Sequence, residues 1–241
     1  VITVDCGTRD IEPIRYAKSL GIDVIVTDHH AVPEIIPEEV IGVLNPKRKD
    51  STYPFSNLAG AGVAFVLLHA LAIRIVEREY STLSPSEQIE KVHEILSRYV
   101  DLASLGTVAD CMPLVGENRI ITTLGLRAMA TSSSNGLRKF LEGREDSIEG
   151  NADIIGFQIG PRINAAGRMD SPLKALHWLL ASEERADSLL EEIEYLNTER
   201  QESVKQFTQM ALESVDATKS ILFYTHEELQ HGLIGLVAGK L

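Results

Sequence analysis

The chain has 241 residues, 44% of them apolar and 24% charged, long enough for one large or two smaller domains with a real core. Two cysteines exclude a disulfide framework and a cysteine-rich zinc module, and they make a reducing, cytoplasmic setting the expectation. The net charge of −12 argues at face value against a polyanionic partner, although a total does not say where the charges sit.

In chain order, Val1 to Val4 reads as a buried strand rich in β-branched residues. Ile11, Ile14, Ala17 and Leu20 give residues 10–20 a helical period, which Gly21 ends. Asp23 to Thr27 is a second strand, and Val40 to Leu44 is a third, stopped by Asn45-Pro46. Strand, helix and strand within so short a stretch predict a βαβ unit and a parallel sheet. From Ala59 to about Ala130 the pattern is mostly helical, interrupted by a polar loop at Ser81 to Ser86. The most apolar run, Ala59 to Val76, carries Gly60, Gly62, His69 and Arg74 and is read as a buried helix, with no membrane span expected.

Thr131 to Gly136 is a loop, and residues 157–171 are rich in Gly, Asn and Arg without a clean period. Pro172 to Ala181 is a short helix. Ser182 then caps a long helix with one apolar face, marked by Leu189, Ile193, Leu196, Val204, Phe207 and Met210. Lys219 to Thr225 reads as a strand opening a new domain, whose first helix starts at His231. The sequence opens on a strand without Met and closes at Leu241 in an apolar run, so a piece of a longer protein is expected. The fold class is α/β: a parallel-sheet domain with additional helices (residues 1–181), a connector helix (182–216) and the start of a second α/β domain (217–241).

Ligands of open α/β sheets bind at the carboxyl ends of the strands. Asp5 sits just past the first strand and Asp28-His29-His30 just past the second. If these strands pair, carboxylate and imidazole groups converge there and suit a transition metal. The plainer reading is a turn that Asp28 caps. Asp110 ends the apolar stretch Tyr99 to Leu105 and its continuation, where an acid opposes the helix dipole, which favours a functional role. Cys6 and Cys111 lie beside Asp5 and Asp110, but zinc cysteines come in close pairs and these do not, so packing is the reading for both. Arg162, Asn164 and Arg168 stand among small residues in Gly160 to Arg168, where arginine forks suit phosphate oxygens; a structural loop with Arg–carboxylate pairing is the alternative. His226-Glu227-Glu228-Leu229-Gln230-His231 fails the spacing of a zinc metalloprotease helix.

Thr3-Val4-Asp5-Cys6-Gly7, Thr27-Asp28-His29-His30, Gly106-Thr107-Val108-Ala109-Asp110 and Gly160 to Arg168 resemble, in order and spacing, the DHH phosphoesterases. Gly160 to Arg168 and Leu58 to Phe65 resemble the RecJ-type branch, the single-strand-specific 5′→3′ DNA exonucleases of repair and recombination. The resemblance implies a phosphodiesterase with two Mn2+ or Mg2+ ions. It implies Asp5, His29 and Asp110 as metal ligands, with Asp5 bridging the ions, His30 on the scissile phosphate, and Asp28 orienting the histidines. Arg162, Asn164 and Arg168 would hold the DNA backbone.

The family's earlier Asp-rich motif and most of its C-terminal DHH-associated domain are not in this sequence, so residues 1–241 alone are expected to be weakly active or inactive. Gln230 stands where the family has His, which leaves His231 without an assigned role. Implied partners are single-stranded DNA, a single-strand-binding protein or a helicase, and a monomer is expected. The alternatives are a DHH-family phosphoesterase acting on short oligonucleotides or nucleotide second messengers, and a non-catalytic DHH scaffold in replication.

The charge is uneven. Residues 182–216 hold ten acids and three bases, so most of the excess lies on one helix. Contact with DNA is therefore expected in a metal-bearing cleft between two domains, not over the bulk surface.

Overall fold

In the computed structural model, which describes residues 1–144, 148, 150–216 and 218–241, strands β1 (Ile2–Val4), β2 (Ile25–Thr27) and β3 (Gly42–Leu44) pair in parallel in the order β1-β2-β3. Ile2 faces Ile25 and Val4 faces Thr27 in the first pair; Ile25 faces Gly42 and Thr27 faces Leu44 in the second. The α/β class and the parallel sheet are as expected, but β1 is not a buried strand. It is an edge of the described sheet, and Ile2 and Val4 are 55% and 49% exposed. The central β2 takes the buried place, with Val26 fully covered. Helix α1 (Ile11–Ser19) supplies Ile14 to the cluster of Val24, Val26 and Val43.

Four more helices follow: α2 (Gly60–Glu79), α3 (Pro85–Ser97), α4 (Val100–Ala109) and α5 (Gly116–Met129). A reciprocal capping box between Ser84 and Glu87, with Pro85 in the first turn, starts α3. By length and composition α2 could cross a membrane. Here it packs on β1, β2, α3 and α4, with Val63, Ala72 and Val76 buried. Leu58, Val63, Ala103 and Ile121 form the core between α2, α4 and α5.

The chain divides into two compact units: Val1–Ser133 with Arg144–Gly156, and Ser134–Gly143 with Phe157–Leu241. Ala217, where the last domain was expected to begin, lies outside the described residues. The second unit contains α6 (Asn135–Leu141), α7 (Gly160–Met169), α8 (Pro172–Leu179), α9 (Glu183–Ser214) and α10 (His231–Ala238). A π-helical segment, Ile154–Ile159, leads into α7. Long α9 packs on α6, α7, α8 and α10 through Ala186, Leu189, Ile193, Leu196, Val204, Phe207 and Ala211. Trp178 and Phe140 meet edge to face, centroids 6.5 Å apart.

Two sequence expectations are corrected. The aperiodic stretch at 157–171 is helical over most of its length. Pro161 sits in the first turn of α7, where its missing N–H costs nothing, and Ala165 and Ala166 are fully buried. Lys219 to Thr225 forms no strand. A strand needs a neighbour to take its N–H and C=O groups, and no described segment pairs with this one; Ile221 and Phe223 stand exposed.

Candidate metal centre

The sheet's own hydrogen bonds deliver the acidic residues to one edge. The ladder continues one step beyond the strands: Asp5 N donates to Thr27 O, and Asp28 N to Leu44 O, both at 3.0 Å. Asp5 and the Asp28-His29-His30 turn therefore leave the sheet side by side.

Two backbone devices turn these side chains into place. Asp5 takes a left-handed conformation, φ 64°, which costs a non-glycine residue energy and points to a constrained site. Gly7, at φ 113°, closes the same turn against Thr3 and Val26, where an added Cβ would fall 2.9 Å from Val26 Cγ1. Across from them α4 ends in a Schellman motif. Cys111 N donates to Val108 O at 3.0 Å and Met112 N to Thr107 O at 3.3 Å, with Cys111 left-handed at φ 55°. Asp110 is held at the C-cap of that helix.

The groups converge on His29, whose side chain is nearly buried. Its Nε2 lies 3.0 Å from Asp5 Oδ1 and 3.5 Å from Asp110 Oδ2. Asp5, His29 and His30 each bring a potential ligand atom within 4.8 Å of the others, and the His29 and His30 rings meet at 4.6 Å. The carboxylates of Asp5 and Asp110 are about half exposed, open to solvent on one side. Among the described residues neither cysteine joins this cluster; both are exposed free thiols.

Asp28 bonds the backbone of its own turn and one imidazole ring, that of His30. It caps the turn, accepting from the backbone N of His29 at 2.7 Å and of His30 at 3.1 Å. It also accepts from Thr8 N at 3.0 Å and contacts His30 Nδ1 at 2.8 Å. Burial pushes the Asp28 carboxyl up, but the hydrogen bonds from Thr8 and His30 outweigh it and hold the group well below the usual carboxylate range.

Arg162, Asn164 and Arg168 fall on α7 in the second unit. Arg162 is engaged within that unit: its Nε pairs with Glu194 at 2.8 Å, its Nη1 donates to Gln158 O at 2.8 Å, and its guanidinium lies 5.0 Å from the Phe140 ring. Asn164 and Arg168, four residues apart and so on one face of the helix, are exposed. Arg168 donates to Gly232 O at 2.7 Å. His231 is the exposed first residue of α10.

Four residues of interest are silent in the sequence. Thr8 and Asn45 are buried beside the Asp28 turn. Gly60, at the start of α2, faces Asp5: a Cβ there would fall 2.3 Å from Asp5 Oδ1. Arg200 of α9 bonds Asn197 at 2.8 Å; burial, then the charges of Arg168 and Arg162, depress its pKa. The Asn-Pro and Leu-Ala-Gly-Ala-Gly patterns were visible, but partners so distant in sequence are not.

Residues 1–107 match the DHH family, N-terminal domain. The whole chain aligns with the single-stranded-DNA-specific exonuclease RecJ of Bacillus subtilis at 37% identity and with that of Escherichia coli at 35%. The chain spans 29% and 42% of the length of those two relatives. A crystal structure of exonuclease RecJ bound to manganese superposes with a TM-score of 0.81 at 34% identity, over 99% of this chain and 57% of that one. RecJ of Thermus thermophilus in complex with Mn2+ gives 0.80 at 34% identity, over 99% and 34% of the two chains. Within the matched residues lie Asp5 and the Asp28-His29-His30 turn; Asp110 follows them by three residues.

Proposed function

We propose that this chain carries the catalytic centre of a metal-dependent exonuclease that hydrolyses single-stranded DNA from the 5′ end, in repair and recombination. The observation that carries the reading is the placement of His29 Nε2 3.0 Å from Asp5 and 3.5 Å from Asp110 in a chain similar throughout to RecJ exonucleases.

The donor set fits a divalent ion of the Mn2+ or Mg2+ kind. Neighbouring ligands on an octahedral ion with bonds of ~2.1 Å stand about 3 Å apart, and oxygen donors with one imidazole suit these ions. Asp5, His29 and Asp110 would contribute ligands to such ions. Bound there, the ions supply a water activated at neutral pH and positive charge for the phosphate oxygens.

The chain's own residues prepare the rest. His30 commits Nδ1 to Asp28, so that in the doubly protonated ring Nε2–H is the group that can donate to a phosphate oxygen. Asp28, kept ionised, fixes that ring orientation. In this reading Arg162, Asn164 and Arg168 bind the DNA backbone, with Asn164 and Arg168 presented on one exposed face and Arg162 braced by Glu194.

The test is the intact protein with oligonucleotides labelled at either end. The reading expects Mn2+-dependent release of the 5′ label as mononucleotide from a single strand and not from a blunt duplex. No hydrolysis with Mn2+ or Mg2+, or equal digestion of duplex, would overturn it.

A further inference from the structure

Loops leave the carboxyl ends of all three strands, and one buried side chain joins them. Asn45, the first residue past β3, is 4% exposed. Its Nδ2 donates to Thr8 Oγ1 at 3.1 Å, in the loop after β1, and to the backbone carbonyl of His30 at 3.0 Å, in the loop after β2. Its Oδ1 accepts from Lys47 N at 2.9 Å.

The Lys47 bond is an ordinary Asx turn, and a turn needs nothing more. The two Nδ2 bonds reach residues 37 and 15 positions away and serve no local turn. They close a circuit. Asn45 holds Thr8, Thr8 N donates to Asp28, Asp28 binds the His30 ring, and Asn45 holds the His30 carbonyl. His30 is thus fixed at both ends, ring by Asp28 and backbone by Asn45. Only a planar amide offers two donors and an acceptor on one short side chain. Aspartate has the same shape without the donors, and it would set a second carboxylate near Asp28.

We propose that Asn45 is a positioning residue for the candidate centre, setting where His30 stands against Asp5 and His29 without touching metal or substrate. The proposal rests on the phosphodiesterase reading of that centre.

The experiment combines Asn45→Asp with His30→Ala in the intact protein. It reads kcat and KM on a single-stranded oligo-dT with Mn2+, and Mn2+ affinity by electron paramagnetic resonance without DNA. Partners that orient a ligand set cost about 10–100-fold in activity or metal affinity when lost. Asn45→Asp is therefore expected to lower kcat by about that factor with KM within about 3-fold, and to weaken Mn2+ binding because the displaced His30 ring lies 4.6 Å from the ring of the ligand His29. Because Asn45 acts through His30, adding Asn45→Asp to His30→Ala should change kcat by less than about 3-fold. Thr8→Val removes the Oγ1 acceptor together with the Thr8 side-chain bond to Asp28, keeps the backbone bond to Asp28, and carries the same test through His30 if Asn45→Asp does not fold. An unchanged kcat and Mn2+ affinity, or a loss additive with that of His30→Ala, would overturn the proposal. Mn2+ binding that depends on Asn45 in a protein without hydrolysis would uphold Asn45 and overturn the phosphodiesterase reading.

Discussion

Gly60 leaves room for Asp5: an added Cβ would lie 2.3 Å from the Asp5 Oδ1 that stands 3.0 Å from His29 Nε2. The start of α2 is thereby pressed against a carboxylate, where the helix's free N–H groups and dipole favour negative charge. At most helix positions Gly→Ala stabilises by up to about 1 kcal/mol. Here overpacking, about 1–3 kcal/mol, works against that gain. Gly60→Ala is expected to lower the melting temperature and to weaken Mn2+ binding at least ~10-fold through displaced Asp5. A raised melting temperature with Mn2+ binding intact would show that the contact is harmless.

Cys111 stands where a Schellman motif usually has glycine. A left-handed non-glycine residue costs roughly 1–2 kcal/mol, and glycine trades that for about 0.4–1 kcal/mol of extra unfolded-state entropy. Cys111→Gly should therefore leave stability equal or raised by up to ~1 kcal/mol, whereas Cys111→Val should lower it by about 1–2 kcal/mol. Both should keep Mn2+ binding, since neither thiol joins the ligand cluster among the described residues. Thermal melts and a Mn2+ titration read the two effects. Loss of Mn2+ binding in Cys111→Gly would make the thiol a ligand.

The two arginines of α7 should separate. Arg162→Gln breaks the half-buried pair with Glu194 and the contact with Phe140, so it should cost stability, about 1–2 kcal/mol, as well as DNA affinity. Among the described residues Arg168 has one hydrogen bond to lose, to Gly232 O, worth ~1 kcal/mol or less. Its loss should appear in single-stranded DNA affinity and in a salt slope smaller by about one unit. Urea melts and fluorescence anisotropy across a salt series distinguish them. If Arg168→Gln left both affinity and slope unchanged, it would not contact phosphate.

The sheet edge was legible because its cues are local. β-branched runs, the period of Ile11, Ile14 and Ala17, and the stop at Gly21 define βαβ, and parallel pairing then places Asp5 beside Asp28. Helix α7 was hidden because residues 157–171 show no clean period, while what holds the helix, buried Ala165 and Ala166, comes from packing in the second unit. Lys219 to Thr225 misled in the opposite way: alternating apolar residues resemble a strand, but a strand exists only with a partner. Asn45 read as a stop signal after β3 and Gly60 as one residue of a buried apolar helix. Their roles depend on Thr8, His30 and Asp5, many residues away, and no local period encodes those contacts.

The central claim is that His29 gathers Asp5 and Asp110 around bound metal, and Mn2+ binding tests it most directly. Isothermal titration of the intact protein with Mn2+ should show binding that His29→Ala weakens at least ~10-fold, because the mutation removes the imidazole that both carboxylates face. The same Mn2+ affinity in His29→Ala and in the unaltered protein would contradict the account.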